Sequence, residues 1–552
     1  MLIGLTLASP AVAQAAPGVG DLMRDAERAT VDKSPDVAPP IETPAIRPQH
    51  NLSGVTVTAS VFRFEGNQLI SGAQLAGALE DMLHRPLTFD DLQEAVSRVT
   101  QRYQRAGYIA FAYLPPQKIV EGTVTIRVIE AVFGGARVAG GIARVSHAFV
   151  ERIVDTAHAP GDPVRLDKLE RGVLLANDLS GVGVTAALVP GDTEGKTDLQ
   201  VVLVDEAPVS GNIMIDNAGA RATGEERVIG QLHWNSPTGR GDLLTATLLG
   251  SQLARYGRLH YGMPMGSDSW RVGAYYSNLP YELGKEFSGL AAEGDGDTAG
   301  ADATYALLRG RHTNLFVNAT VEGRHYQNRS LGTVDSDYRV NRLTLGVQGN
   351  HDDGLGLGGS SEWDVDLVTG RVDLDGSPSK TLDDLTVATH GNYQLVAMNG
   401  SRLQQLSTNA AIYLRAVAQF ASTNLDSSEH FALGGPTGIR AYPVSEGSGD
   451  EGYVVSLELR HRASATTTLA TFYDYGSIRQ NDDNNFPGAP GLNRYSLQGV
   501  GLSLLWSPRS NINANFTWAQ RLGDNPNRLS SGADRDGSLR KDRIWLNLQY
   551  AF

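Results

Sequence analysis

The chain has 552 residues, a formal net charge of −14, 62 glycines and no cysteine. Its length exceeds that of one ordinary domain, and its acidic balance argues against a nucleic-acid partner, which would require a basic face. Beyond the N-terminus it contains no apolar run of about 18 residues, so the sequence predicts no membrane-spanning helix. Abundant glycine without thiols fits a chain of many strands and turns in an oxidising compartment.

The first residues, 1–16, have the pattern of an export signal. A short apolar core is followed by small residues, with Ala13 and Ala15 at Ala-x-Ala spacing, although the usual basic start is missing. We therefore predict a signal peptide that is cleaved between residues 13 and 16.

Residues 17–33 form a candidate helix that is too polar for lipid. Seven of the thirteen residues 21–33 are charged, and Leu22, Ala26 and Ala29 form only a thin apolar stripe. Such a helix could occupy a water-filled pore. Five prolines in residues 34–53 then predict a semi-extended linker that spans about 50 Å. The alternative is a disordered N-terminus.

Residues 54–131 and 132–207 read as two similar units, each with the order strand, helix, helix, strand, strand. In the first unit, a helix begins with Thr88 and Asp91 at capping-box spacing and ends at Gly107. The predicted strands are 55–65, 108–114, 123–130, 133–138, 183–189 and 197–204, and the other predicted helices are 73–83, 147–157 and one that begins at Pro163.

Residues 208–552 alternate between apolar and polar side chains almost throughout. The segments are about ten residues long and their polar faces are continuous, as expected for a tilted strand that faces lipid on one side and water on the other. The last segment shows the two faces: Ile544, Leu546, Leu548, Tyr550 and Phe552 on one, and Arg543, Asn547 and Gln549 on the other. We therefore predict a sixteen-stranded antiparallel transmembrane β-barrel around an aqueous channel.

The connections between these strands alternate in length. The long polar ones are residues 217–226, 278–301, 326–338, 370–384, 421–452, 477–494 and 521–541, with a shorter one near Arg255. The short ones are 236–241, 265–267, 309–312, 351–359, 399–401, 461–464 and 507–510. Long loops outside and short turns inside are typical of outer-membrane barrels. This strand parity also places Ala470, Phe472 and Asp474 on the lumen face.

Two motifs lie in this region. A tight turn in the sixth long loop carries Gly438-Ile439-Arg440-Ala441-Tyr442, and a strand segment of residues 472–476 carries Phe472, Asp474 and Gly476. The pair resembles two-partner-secretion TpsB transporters, the ShlB/FhaC/HecB type of haemolysin secretion/activation protein. In that family an arginine-bearing tip folds into the barrel and meets the aspartate of a Phe-x-Asp-x-Gly segment. Ala441 stands where the family usually has glycine.

The resemblance also covers the N-terminal part of the chain. It implies that 17–33 is a plug helix, that 34–53 is its linker, and that 54–131 and 132–207 are POTRA domains, which are periplasmic modules that bind polypeptide. Residues 169–182 are close to the helix signature of the second POTRA domain, with Ser180 in place of a common proline. The client-binding residues are unknown within the two modules.

The sequence contains no arrangement of residues that indicates an enzyme. The twelve histidines show no metal-ligand spacing, and the glycine-rich runs lie in turns without a following helix to hold phosphate. The acidic stretch 293–297 reads as a solvated loop. We therefore expect no catalytic residues, no metal and no cofactor.

The resemblance implies a transporter in the cell outer membrane that binds an unfolded TpsA-type exoprotein through periplasmic POTRA domains and secretes it through the barrel. The expected partners are this exoprotein and outer-membrane lipid, with no nucleic acid, and the expected working unit is a monomer. Two alternatives stay open: an insertase that assembles other barrels, and a passive diffusion porin.

Overall fold

The computed structural model describes residues 16–30, 41, 56–140, 143–193 and 195–552. Nearly all of the predicted signal peptide and of the proline-rich linker lies outside the described residues. The first helix, α1 (Val19–Ala29), falls within the segment for which the sequence predicts a helix. In the described part of the chain, no helix combines the length and the apolar composition needed to cross a membrane.

The first module packs its helices on one face of a small sheet. Its strands are ordered β2-β5-β4, with β2 parallel and β4 antiparallel to β5. The helix α3 is capped as predicted, because Thr88 Oγ1 accepts a hydrogen bond from Asp91 N at 3.2 Å. The elements are β1 (Val57–Thr58), β2 (Val61–Glu65), α2 (Gly72–Gly77), a 3₁₀ turn (Glu80–Met82), β3 (Pro86–Leu87), α3 (Phe89–Arg105), β4 (Ala110–Tyr113) and β5 (Thr123–Glu130).

The second module repeats this order, with a sheet β6-β8-β7 in which β6 runs parallel to β8. Only Ala131 separates it from the first module, and backbone bonds from Ile109 N to Val164 O and from Leu166 N to Gly107 O, both 3.2 Å, join the two. These bonds fix the modules relative to each other. The elements are β6 (Val132–Ala139), α4 (His147–Ala157), α5 (Leu166–Asn177), β7 (Val182–Pro190) and β8 (Lys196–Asp205).

The rest of the chain forms a closed antiparallel barrel of sixteen strands, as the alternation predicts. Its first strand, β9, pairs with its last, β26, through neighbours such as Ile215 and Leu548. The barrel strands are β9 (Val209–Asp216), β10 (Arg227–Asn235), β11 (Leu243–Gly250), β12 (Arg255–Pro264), β13 (Trp270–Glu282), β14 (Glu293–Arg309), β15 (Thr313–Ser330), β16 (Thr333–Asp353), β17 (Gly359–Asp373), β18 (Gly391–Ser407), β19 (Ala410–Ala421), β22 (Glu451–Ser464), β23 (Thr467–Arg479), β24 (Arg494–Arg509), β25 (Ile512–Arg521) and β26 (Asp542–Ala551). The loops add α6 (Lys380–Leu385), β20 (Phe431–Ala432) and β21 (Ser448–Gly449).

Five connections differ from the prediction. The predicted loops 278–301 and 326–338 are mostly strand, and β15 and β16 turn only at Leu331 and Gly332. The predicted turn 399–401 is wrong, because β18 runs through it and turns at residues 408–409. Polar strand residues caused both errors: Asn399 donates to Asp364 Oδ1 at 2.9 Å across two strands of the polar face. The predicted turns 461–464 and 507–510 are likewise placed too early, because β22 extends to Ser464 and β24 to Arg509.

The second module is fixed to one end of the barrel. At the end of β14, Arg309 donates to both carboxylate oxygens of Asp178, at 2.7 and 2.9 Å. Arg171 of α5 donates to Ala306 O at 2.7 Å. The long loops, including the sixth and the eighth, lie at the opposite end.

Candidate functional site

The sixth loop, residues 422–450, connects β19 to β22 and folds into the barrel. Its two arms pair through β20 and β21, with Phe431 opposite Gly449. At its tip Ile439, Ala441 and Tyr442 are 0% exposed. A loop that carries this many polar residues would ordinarily lie in solvent, so its burial shows that the tip packs against the inner wall.

The tip is a turn that only glycine fits at two positions. Ile439 N donates to Leu433 O at 2.7 Å, which draws the two arms together. A Cβ atom on Gly438 would lie 2.0 Å from Leu433 O, and one on Gly434 would lie 2.1 Å from Pro443 O. The glycines therefore allow the backbone to turn sharply enough to present Arg440.

The strand β23 presents Asp474 to the lumen, as its alternation predicts. Asp474 and Phe472 are 0% and 5% exposed, whereas Tyr473 between them is 40% exposed on the outer face. Gly476 lies two residues further along the inner face, where a Cβ atom would be 2.9 Å from Leu433 Cδ2. The missing side chain at Gly476 makes room for the arm of the sixth loop.

Arg440 and Asp474 meet in the interior. Arg440 Nη2 lies 2.7 Å from Asp474 Oδ1, and both Nε and the backbone N of Arg440 donate to Oδ2, at 2.9 and 3.1 Å. Burial opposes the charge of Arg440, but the hydrogen bonds and the charge of Asp474, together with Glu458, outweigh it and raise the pKa of the guanidinium. This forked contact uses the planar geometry that distinguishes arginine from lysine.

Three further side chains complete the pocket of Arg440. Glu458 Oε1 accepts from Arg440 Nη1 at 2.6 Å, and Ser456 Oγ accepts from Nη2 at 2.8 Å while donating to Asp474. The guanidinium carbon lies 3.4 Å from the ring centroid of Phe472. Arg440 therefore has two carboxylates, one hydroxyl and one aromatic face around it, which compensates for its loss of water.

The opposite side of the tip is held by the last strands of the barrel. Trp545 Nε1 on β26 donates to Arg440 O at 2.7 Å, and Arg521 Nε at the end of β25 donates to Ala441 O at 3.3 Å. The Arg521 guanidinium also lies 4.5 Å from the ring centroid of Tyr442. The tip is thus bound on two sides, by β22 and β23 on one and by β25 and β26 on the other.

Ala441 is accommodated by a glycine on the wall. Its backbone lies outside the left-handed region, so the position does not require glycine for conformational reasons. A Cβ atom added to Gly499 on β24 would lie 2.6 Å from the Ala441 Cβ. The methyl group of Ala441 therefore occupies space that Gly499 leaves empty.

The helix α1 lies inside the barrel beside the sixth loop. Val19 N donates to Asn328 Oδ1 on β15 at 2.9 Å, and Arg24 Nη1 donates to the carbonyls of Ser427 and His430, at 2.8 and 3.1 Å. Close to the other end of the helix, Thr30 O accepts from Gln231 on β10. The helix therefore crosses the lumen and contacts both the wall and the loop.

The comparisons with known proteins agree with this geometry. Residues 195–504, more than half of the chain, match the family described as haemolysin secretion/activation protein ShlB/FhaC/HecB. The chain belongs to this family. Residues 57–131 match the ShlB-type POTRA domain, so the first module is a POTRA domain.

Individual relatives cover most of the chain. The heme/hemopexin transporter protein HuxB of Haemophilus influenzae is 26% identical over 499 residues, which is 88% of this chain and 85% of HuxB. The outer membrane transporter CdiB of Dickeya dadantii is 22% identical over 445 residues, 76% of this chain and 75% of CdiB. Among solved structures, CdiB from Escherichia coli has a TM-score of 0.69 at 19% identity and covers 98% of this chain and 100% of its own.

A more distant structure shares the fold. BamA from Haemophilus ducreyi, lacking POTRA domains 1–3, has a TM-score of 0.55 at 13% identity and covers 90% of this chain and 100% of its own. At this identity the likeness shows only the architecture. With the family shown, the barrel lies in the outer membrane, its long loops face outward, and the end that carries the second module faces the periplasm.

The sequence motifs of this family member located Arg440 and Asp474 but missed several of their neighbours. Ser456 and Glu458 could have been found from the alternation of β22, which gives them the same inward parity. Trp545 lies among Arg543, Asn547 and Gln549 on the polar face of β26. A tryptophan among polar residues on a lumen face indicates a specific contact inside the barrel. No local pattern indicated Arg521, because its role depends on the fold of the loops.

One cluster in the fifth loop has metal-binding residue types. In the described residues Asp373, Asp375 and His390 come within ligand distance of one another. However, His390 Nδ1 accepts a hydrogen bond from Leu374 N at 3.1 Å, which leaves the proton of the neutral ring on Nε2, facing Asp375. Asp373 Oδ1 likewise accepts a hydrogen bond from Asp375 N, at 3.0 Å.

Proposed function

We propose that this chain secretes an unfolded TpsA-type exoprotein, which enters from the periplasm, passes through the barrel and folds outside the cell. Family membership, the POTRA fold of the first module and the sixteen-stranded barrel support this function. The relatives are named as transporters, of heme/hemopexin for HuxB and of haemolysin for HpmB of Proteus mirabilis. No residue of the site that we describe needs to perform bond chemistry in this role.

The observation that carries the proposal is the buried contact of Arg440 with Asp474. It holds a 29-residue loop, residues 422–450, against the wall of a channel through which a polypeptide would pass. In this role the motif residues 438–442 form the transport loop, and Phe472, Asp474 and Gly476 form its partner on the wall. Because all of these contacts are non-covalent, the loop can leave and return.

The helix α1 is the second obstruction, and we assign it the role of a plug. Its contacts with Asn328, Ser427 and His430 are hydrogen bonds, and most of them use backbone carbonyls. The linker that follows would allow the helix to leave the barrel while it stays tethered. A passive diffusion porin would not require a lumen filled by two removable elements.

Client capture falls to the two modules. In each sheet the central strand, β5 or β8, is covered on both sides, and β2, β4, β6 and β7 lie at the edges. An extended client segment can pair with such an edge through its backbone, so binding tolerates many sequences. The bonds between Arg309 and Asp178 keep this surface beside the channel entrance. One chain contains the modules, the channel and both obstructing elements, which supports a monomer as the working unit.

Secretion is tested by producing the chain with a candidate TpsA-type exoprotein, taken from a neighbouring gene where one is present, and by measuring the exoprotein in the medium. We expect secretion from the native chain and a large loss for Arg440→Ala, with the barrel still inserted and heat-modifiable on gels. A matched control is Arg371→Ala, which removes an arginine from the wall of β17 away from the sixth loop. Normal export without the chain would refute the proposal.

The insertase alternative predicts a different result. Deleting the chain would then lower the amounts of unrelated outer-membrane barrels, which quantitative proteomics of the membrane fraction measures. We expect those amounts to stay unchanged, while one exoprotein disappears from the medium.

A further inference from the structure

The eighth loop, residues 522–541, does not extend freely from the barrel. Asn525, Ala533 and Asp534 are 3%, 4% and 1% exposed, although two of them are polar. The loop stabilises itself through backbone bonds such as Leu529 N to Ala533 O at 2.9 Å. Polar side chains that are buried this deeply require partners. Glu446 of the sixth loop supplies one to Asn525, and Arg521 at the end of β25 supplies one to Asp534.

Arg521 links the eighth loop to the tip of the sixth. It forms a two-pronged ion pair with Asp534, with Nη1 2.9 Å from Oδ1 and Nη2 in contact with Oδ2. The same guanidinium covers the ring of Tyr442 and donates to Ala441 O, next to Arg440. Asp534 therefore orients an arginine that contacts two residues of the transport loop motif.

Glu446 makes the second link, from the returning arm of the sixth loop. It is 1% exposed. Its Oε1 accepts from Asn525 Nδ2 at 2.8 Å, and its Oε2 accepts from Arg535 N at 2.9 Å. Asn525 also donates to Asp534 Oδ1 at 3.0 Å, so the two links form one network.

From these contacts we infer that Arg521, Asp534 and Glu446 are positioning residues, which clamp the sixth loop to the eighth and thereby hold Arg440 in register with Asp474. The clamp acts on the side of the tip that faces β25 and β26, opposite the aspartate. A loop that is bound on one side only could tilt away from the wall, and the forked geometry of the Arg440 contact would be lost. This inference rests on the proposed secretion function.

Because Glu446 can ionise, the clamp should depend on pH, which a contact without an ionisable group would not do. Burial raises the pKa of Glu446 to about 7, the hydrogen bonds from Asn525 and Arg535 N oppose this, and the charges of Asp534 and Asp536 add to it. Among the described residues, the other charged or titratable groups around this network include Arg521 and Arg543, which bind Asp534, and Tyr495 and the guanidinium of Arg535, which bind Asn527. A raised pKa in the closed state means that the contribution of Glu446 is present in acid and is lost as the pH rises through about 7.

The test measures single-channel conductance in planar bilayers, without any client, so it can fail separately from the secretion proposal. We expect the resting conductance of the native chain to increase between about pH 6 and pH 8 as the clamp loosens. Glu446→Gln keeps the shape without the ionisation, so its conductance should change less over this range than that of the native chain. The remaining response comes from His430 of the sixth loop, where burial lowers the pKa but the hydrogen bond and charge of Asp450 outweigh it and raise the pKa. A pH response of unchanged size in Glu446→Gln would overturn the assignment of Glu446.

Secretion tests the ion pair. Asp534→Ala leaves Arg521 without its main partner and should lower secretion about tenfold or more, since removing one partner of a buried ion pair shifts an equilibrium at least this far. Asp534→Glu should restore part of the secretion, and Asp384→Asn, at the exposed Lys380–Asp384 pair of the fifth loop, is the matched control. Combining Asp534→Ala with Asp474→Ala should be no worse than Asp474→Ala alone. Normal secretion in Asp534→Ala, or strictly additive losses in the double variant, would overturn the clamp.

Discussion

Removing either partner of the contact between Arg440 and Asp474 tests the central element of this transporter. In Asp474→Ala, Arg440 loses the acceptor of its Nε, Nη2 and backbone N, which bind the two oxygens of Asp474 at 2.7 to 3.1 Å. The arginine is only 9% exposed, so water cannot replace all of these bonds. Breaking a buried ion pair in this way typically costs about 3–5 kcal/mol.

The neighbours of the pair decide where in this range each variant falls. In Asp474→Ala, Arg440 still has Glu458 at 2.6 Å, which favours the lower value of about 3 kcal/mol, equivalent to roughly a hundredfold weaker docking of the loop. In Arg440→Ala, the 0% exposed Asp474 keeps the Ser456 hydroxyl at 2.6 Å but has no cation. We therefore expect Arg440→Ala to be the more damaging, and Arg440→Lys to retain part of the activity because lysine cannot make the fork.

The assay compares secreted client for the two single variants and the double variant, with heat-modifiability on gels as the control for an inserted barrel. Because both substitutions remove the same interaction, the double variant should be no worse than the worse single one. Strictly additive losses would show that the two residues act independently, and the role of this contact would have to be abandoned. Equal, complete activity of all three variants would have the same consequence.

Three further predictions follow from the interior of the barrel. Gly499→Ala should reduce secretion, because the new methyl group would lie 2.6 Å from the Ala441 Cβ. Adding Ala441→Gly should restore secretion. If it does not, the close contact between these two positions does not control how the sixth loop docks. Deleting residues 17–49 should raise single-channel conductance while the barrel stays folded, and unchanged conductance would mean that α1 is not the plug. A third variant combines Gly18→Cys with Asn328→Cys, because a Cβ atom on Gly18 would lie 3.7 Å from Asn328 Oδ1 and the chain has no other cysteine. The disulfide between them should stop secretion when it is oxidised and permit secretion when it is reduced. Full secretion in the oxidised form would show that the helix can stay in the channel.

The local pattern of the sequence determined the architecture. Alternation with a period of two fixes which side of a strand meets lipid, so it identified the barrel and the inward direction of Asp474 without any tertiary information. The capping of α3 by Thr88 and Asp91 is likewise local, because it involves residues three positions apart. These features depend on neighbours in the chain and can therefore be read from it.

Polarity alone was a poor guide to where strands end. The residues near 326–338 are polar because their strands project beyond the lipid, yet they still pair, for example Gln327 with Asp337. Asn399 and Gly400 resemble a hairpin turn, but they lie within β18, where Asn399 donates to Asp364 on β17. Sequence polarity reports the solvent around a residue and not whether its backbone is paired.

The family resemblance pairs Arg440 with Asp474, but the tertiary structure decided which other side chains surround Arg440 and how they meet. Asp474, Glu458 and Trp545 reach it from three strands, 34, 18 and 105 positions away along the chain. The clamp by Arg521, Asp534 and Glu446 depends on the inward fold of the eighth loop, which no period or motif specifies. Contacts at this separation are set by barrel closure and loop packing, because only these bring distant residues to the same point in the lumen.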